Sequence, residues 1–247
     1  MSSKKVCSIY EGTALRQVTG PSIRPGGFRL TDRAIAFCNL AAGAKILDVG
    51  CGTGATVEYL IEKYHFNALG IDPSEVLLQN GRQRRPDLPL LQGVGECLPF
   101  SDGEMEGVFA ECTLSLMDNL DRALEECRRV LKVGGYLMAS DIYAKNPAAT
   151  AELRTLPLAS CLTGAMGQTE LAAKLGAAGF RIILWEDHSE LLKELMIQLI
   201  MTHGSMNQFW QQYGPVDCGD DCAQSAIKKA KPGYYLLVAR KVDHLGD

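Results

Sequence analysis
The chain has no apolar run approaching the length that spans a bilayer, and its first residues, MSSKKVCSIYEG, lack the apolar core of an export signal. Both absences lead to the expectation of a cytoplasmic protein with no membrane partner. Lysine and arginine form no long runs, and 25 of them face 29 acids for a net charge of -4. A concentrated basic face is missing, so nucleic acid is not an expected partner. No repeat period or low-complexity tract is present. Cysteine is plentiful, but nine of them, an odd count at irregular spacing (7, 38, 51, 97, 112, 127, 161, 218 and 222), point to free thiols instead of a disulfide framework. With 47% hydrophobic and 22% charged residues, 247 residues suit one substantial core, and a single domain over 1–247 is expected.

Short strand-like runs alternate with longer helical ones, which is the α/β pattern. Strands are expected at Lys45–Gly50, Phe66–Asp72, Leu90–Val94, Gly107–Cys112 and Tyr136–Tyr143, with two late ones at Phe180–Glu186 and Tyr234–Val242. Helices are expected near Thr56–Tyr64, Ser74–Arg84 and Leu120–Leu131, the last stopped by Gly134 and Gly135. The expected fold is a doubly wound, Rossmann-like, mostly parallel sheet of seven strands, with the two late strands closing one edge. Three segments fall outside that alternation: 1–40, 146–168 and 188–233. They are read as a lid and insertions over or beside the ligand edge, with a helix from Thr31 to Cys38 capped by Thr31.

Gly50, Gly52 and Gly54 follow the first strand and precede a helix, so backbone amides there approach a ligand closely at a helix N-terminus. Gly50, Gly52 and Ala55 also satisfy a dinucleotide fingerprint, with Asp72 where a ribose-binding acid belongs. Asp48 separates the two readings. A carboxylate two residues before the first glycine repels a pyrophosphate, whereas the ammonium and sulfonium of S-adenosylmethionine are attracted to it.

Through LDVGCGTG, GIDPS, ECLPF and RRVLKVGGYL, the stretch from Lys45 to Tyr143 resembles the class I S-adenosylmethionine-dependent methyltransferases. That resemblance implies that Asp48 and the backbone of Gly50, Cys51, Gly52 and Gly54 cradle the methionine part, and that Asp72 accepts from both ribose hydroxyls. It places Gly95, Glu96 and Cys97 near the adenine, with Glu111 at the methionine end. Val94 departs from the pattern, since many members carry an aspartate there.

In-line methyl transfer needs alignment and exclusion of water more than an obligatory catalytic residue, so none is assigned. A small-molecule acceptor is expected. Around Leu158–Met166 the chain resembles arsenite methyltransferases, and Cys161 matches their metalloid-binding cysteine, with a small packed residue as its plainer reading. A cofactor-binding accessory protein without turnover stands as another alternative, and a dehydrogenase is disfavoured by Asp48. Cys218 and Cys222 lack the partners of a zinc site, and no metal is expected. Tyr10, Glu11, Arg24, Gly26, Gly27 and Arg29 belong to an arm that either folds over the cofactor or lies on the surface. Asp141 and Tyr143 end the fifth strand, where they either orient an acceptor or serve packing; His188 and His203 are read as exposed or satisfied polar groups.

Overall fold
A computed structural model of the chain describes residues 8–156, 160–212 and 220–242. Seven strands form one sheet: β1 (Lys45–Val49), β2 (Asn67–Asp72), β3 (Leu90–Gln92), β4 (Met105–Glu111), β5 (Leu131–Ala144), β6 (Phe180–Asp187) and β7 (Pro232–Lys241). Their order is β3-β2-β1-β4-β5-β7-β6. The first five run parallel, and β7 lies antiparallel between β5 and β6. The two late strands therefore do close one edge, with the last inserted inside the sixth.

The central strands bury both faces, as a parallel sheet flanked by helices requires. Ile46 and Phe109 belong to the core on one side, and Leu47, Val49 and Val108 to the core on the other. The helix Leu120–Val130 shows why its sequence packs so well: Leu120, Ala123, Leu124, Cys127 and Val130 share one face and are all buried. Asn119 caps it by accepting from the Arg122 N–H at 3.1 Å. Glu126, on the same helix, accepts from the Leu98 N–H at 2.8 Å and pairs with Arg122 and Arg129, tying the segment before β4 to the helix.

Two expectations are corrected. Strand β5 begins at Leu131, five residues before Tyr136, because pairing with β4 jumps from Leu131 to Tyr136 and 132–135 bulge outward, with Gly134 at φ 74°. Thr31 is not a cap, since the helix starts at Arg29 and Thr31 lies buried within its first turn. The segment after β6 holds helices Ser189–His203, Met206–Gln211 and Asp220–Ala230. Cys218 lies outside the described residues, as does the side chain of Cys222. The six described cysteines are free. No described helix is long and apolar enough to cross a membrane.

Candidate functional site
The carboxyl ends of β1, β2 and β4 border a cleft of about 840 Å³, the edge where open α/β sheets hold ligands. The glycine turn is one of its walls. A Cβ at Gly50 would stand 1.9 Å from the Thr113 hydroxyl, whereas one at Gly52 would meet nothing nearer than 4.0 Å. Gly52, at φ 55°, is thus a left-handed residue whose bare backbone lines the cleft, with Ile23 and Leu77 at contact distance from where a Cβ would stand. Its N–H donates to Asp72 Oδ2 at 2.8 Å, and the Ser74 N–H donates to Oδ1 at 2.8 Å. Each Asp72 oxygen keeps a second lone pair for the cleft.

Asp48, Asp72 and Glu111 are all buried along this cleft. Burial pushes the Asp48 carboxyl well above the usual range; neighbouring Glu111 adds to the effect and Arg24 opposes it. Asp72 is raised by burial too, against the pull of its two backbone donors. Glu111 is more fully engaged than the sequence suggested. It accepts from Thr31 Oγ1 at 2.8 Å and Thr56 Oγ1 at 3.0 Å, and it pairs with Arg24 Nη1 at 2.8 Å. Arg24 in turn donates to the Gly27 carbonyl, Thr56 and Thr31, each at 2.8 Å. The N-terminal arm is therefore fastened over the cleft, where Tyr10, Glu11, Pro21, Ile23 and Arg24 form part of its wall. Glu11 accepts from Ser74 Oγ at 2.6 Å, and Thr53 Oγ1 donates to the Pro21 carbonyl at 3.0 Å.

Of the residues singled out from sequence, Asp48, Gly50, Gly52, Asp72, Gly95, Glu96 and Glu111 border the cleft together. Three do not. The Cys51 thiol turns toward Gly70, where an added Cβ would stand 2.6 Å from it, and Gly54 backs onto Leu90. Cys97 is exposed. Glu96 Oε1 accepts from the N–H groups of Asp118 and Asn119 at 2.9 and 3.1 Å, shaping the entry to helix Leu120–Val130. Tyr143 points elsewhere, donating to Asp187 at 3.2 Å. His188 meets Glu186 at 2.9 Å and His203 the Ala14 carbonyl at 3.2 Å, so both are satisfied.

A second cavity of about 960 Å³ adjoins the first and shares Tyr10, Ile23, Arg24, Cys112 and Ser160 with it. Leu192, Leu195, Leu199 and Phe209 make much of its wall apolar. Sequence reasoning missed this cavity because helix Ser189–His203, which gives Leu192, Leu195, Met196, Leu199 and Ile200 to its wall, falls in a segment read only as an insertion. The run from Ser160 to Gly164 lies against β4's following loop: a Cβ at Gly164 would stand 1.7 Å from the Ser115 carbonyl oxygen, so only glycine fits. Ser160 Oγ is buried and has no hydrogen-bond partner among the described residues. Cys161 lies beside Cys112 and Asp141, which sequence spacing does not reveal.

A family model described as "Methyltransferase domain" matches residues 47–139. An uncharacterized methyltransferase, YodH, of Bacillus subtilis is 26% identical over 208 residues, covering 76% of this chain and 88% of that one. The demethylmenaquinone methyltransferase of Renibacterium salmoninarum is 32% identical, over 56% of this chain and 58% of its own. The chain spans about half the length, 41–58%, of several curated relatives it matches. Among solved structures, the [4+2]-cyclase SpnF is similar at 27% identity and TM-score 0.65, over 87% of this chain and 80% of that one. Phosphoethanolamine N-methyltransferase 2 of Haemonchus contortus, solved with S-adenosyl-L-methionine, shares the fold at TM-score 0.71 and 16% identity, over 93% and 56%.

Proposed function
Because this chain belongs to the class I S-adenosylmethionine-dependent methyltransferases, we propose that it methylates a small, largely apolar acceptor seated in the cavity beside its cofactor cleft. The observation that carries this reading is the shared wall: Tyr10, Ile23, Arg24, Cys112 and Ser160 border both spaces. Where two reactants meet across such a wall, alignment itself supplies much of the rate.

The cleft fits the cofactor by charge and shape. Three buried acids against one buried arginine make it attractive to a cation and hostile to a pyrophosphate. When bound, S-adenosylmethionine supplies an electrophilic methyl group on a positively charged sulfur. Asp48 faces the cofactor's ammonium, a partner that compensates the burial of its carboxylate. The bare backbone of Gly52 in the cleft wall would take the methionine part, and the remaining lone pairs of Asp72 would accept the ribose hydroxyls. Gly95 and Glu96 border the adenine end, where Glu96 acts by holding 118–119 in place. Arg24 holds Glu111 and closes the arm against water. Ser160 Oγ, buried without a partner among the described residues, faces the junction where a polar group of the acceptor would sit.

Transfer of a labelled methyl group to a panel of acceptors graded in apolar size tests the reading. Leu195→Trp narrows the second cavity without touching the cofactor cleft. Its expected result is a shift to smaller acceptors with unchanged affinity for S-adenosylhomocysteine. Unchanged acceptor preference in that variant, or label appearing only in hydrophilic acceptors, overturns it. The arsenite and accessory-protein readings draw no support from the relatives above.

A further inference from the structure
Cys112 borders both cavities and Cys161 the second, and the two stand beside the buried Asp141. Their two sulfurs and a carboxylate oxygen all lie within 4.8 Å of one another, and all three residues are buried. The chain builds this cluster from three distant places: the residue just after β4, the body of β5, and the segment after residue 159.

Its construction is specific. Cys112 holds a left-handed backbone, φ 54°, which a residue with a side chain seldom adopts and which concentrates at functional sites. The Asp141 carboxylate is fixed by the Ser115 N–H at 3.0 Å, the Ser115 hydroxyl at 3.0 Å and the Ile142 N–H at 2.7 Å. The Cys161 N–H donates to the Tyr10 hydroxyl at 3.1 Å, and the same hydroxyl meets Cys161 Sγ. On the other side Tyr234 Oη is 3.3 Å from Cys112 Sγ. Two thiols, a carboxyl and two phenols thus crowd one buried spot. No lysine or arginine among the described residues is hydrogen-bonded to any of the three.

We propose that Cys112, Cys161 and Asp141 bind one thiophilic divalent cation, of which Zn²⁺ is the type, and leave its fourth position open to the apolar cavity. Two sulfurs about 2.3 Å from a tetrahedral centre stand roughly 3.8 Å apart, inside the span observed. Three protein ligands with one open position are the arrangement of reactive zinc sites, whereas structural sites close all four. Thiolates select a soft or borderline ion over magnesium or calcium. Tyr10 and Tyr234 supply the outer hydroxyls that orient ligating sulfurs.

The open position also names a class of acceptor, a step that rests on the methyltransferase reading above. A thiol ligated there gives up its proton to solvent near neutral pH. The sulfur lone pair then forms the new carbon–sulfur bond while the methyl–sulfonium bond breaks, leaving a thioether and S-adenosylhomocysteine. Charge and atoms balance without an oxidant or reductant.

The test uses full-length protein held reduced and stripped with a chelator. Titration with Cd²⁺, a spectroscopic stand-in for Zn²⁺, is expected to give a thiolate-to-metal absorption that saturates at one equivalent. It should fall at least tenfold in apparent affinity in Cys112→Ser and in Cys161→Ser, and persist when Cys7, Cys97, Cys218 and Cys222 are all replaced by Ser. Should either single variant fail to fold, wild-type protein answers the question: Zn²⁺ is expected to slow alkylation of Cys112 and Cys161 at least tenfold, read by peptide mass spectrometry, while leaving Cys97 unchanged. Absorption that survives both single variants, absorption lost when Cys7, Cys97, Cys218 and Cys222 are replaced, or alkylation of Cys112 and Cys161 indifferent to Zn²⁺ overturns the site. S-adenosylhomocysteine titrated in parallel separates the two readings, because its failure to bind wild-type protein refutes the methyltransferase assignment and leaves metal binding standing.

Discussion

Arg24 Nη1 stands 2.8 Å from Glu111 Oε2, so the arm preceding the sheet is ion-paired to the end of its fourth strand. Both side chains are about 5% exposed or less. A pair buried so deeply contributes little net stability, yet removing one partner leaves the other charged and unsolvated. Arg24→Met is therefore expected to destabilise the protein by about 3–5 kcal/mol, and Arg24→Met with Glu111→Gln by clearly less. Thermal denaturation of the four proteins of the cycle measures this. Equal losses in the single and double variants would show that Glu111 does not depend on Arg24.

Gly50 and Gly52 share a turn but answer to different neighbours. At Gly52 an added methyl meets Ile23 and Leu77 only at ordinary contact distance, 4.0 Å, so Gly52→Ala should cost only the left-handed backbone, about 1–2 kcal/mol, while losing at least tenfold in affinity for S-adenosylhomocysteine. Gly50→Ala drives a methyl into Thr113 and adds overpacking to the same backbone strain, for a loss of about 2–5 kcal/mol. Denaturant melts beside binding calorimetry distinguish them, and a Gly52→Ala protein with wild-type affinity refutes the assignment of that turn.

Much of this was legible beforehand. The strand-turn-helix at Lys45–Tyr64 declares itself because apolar periodicity, glycines and acid all lie within twenty residues, and Asp48 and Asp72 follow from local spacing. Arg24, Ser160 and Cys112 were not legible as one locale, because their proximity is made by the sheet and by helices that dock on it, over separations no periodicity records. Thr31 shows the same limit in reverse. A threonine near a helix start looks like a cap, yet tertiary contact with Glu111 claims its hydroxyl.

Glu126 gives a pH test of the fold. Arg129 and the Leu98 N–H pull its carboxyl down to about 2 against an ordinary value of 4.5. A carboxyl depressed in the folded state contributes stability that is full above the unfolded value and fades as pH falls from about 4.5 toward 2. The loss across that window is about 3 kcal/mol. Glu126→Gln should lower stability at pH 7 and flatten that acid limb in urea titrations. An acid limb as steep in the variant as in wild type assigns the effect to other carboxylates.

Asp48 predicts a pH dependence of binding. Burial holds its carboxyl above the usual range, and only the ionised form attracts an ammonium. Affinity for S-adenosylhomocysteine should therefore weaken on acidification at a pH higher than an exposed aspartate would set. Asp48→Asn should bind at least tenfold more weakly and lose that dependence. Calorimetry across pH decides it, and a variant with the wild-type profile removes Asp48 from the site.

The most direct measurement is calorimetric titration of the wild-type protein with S-adenosylmethionine, S-adenosylhomocysteine and a nicotinamide dinucleotide, repeated with Asp72→Ala. The account predicts binding of both sulfur ligands at one per chain, at least a tenfold loss in the variant, and no heat from the dinucleotide. Dinucleotide binding with neither sulfur ligand bound would contradict it.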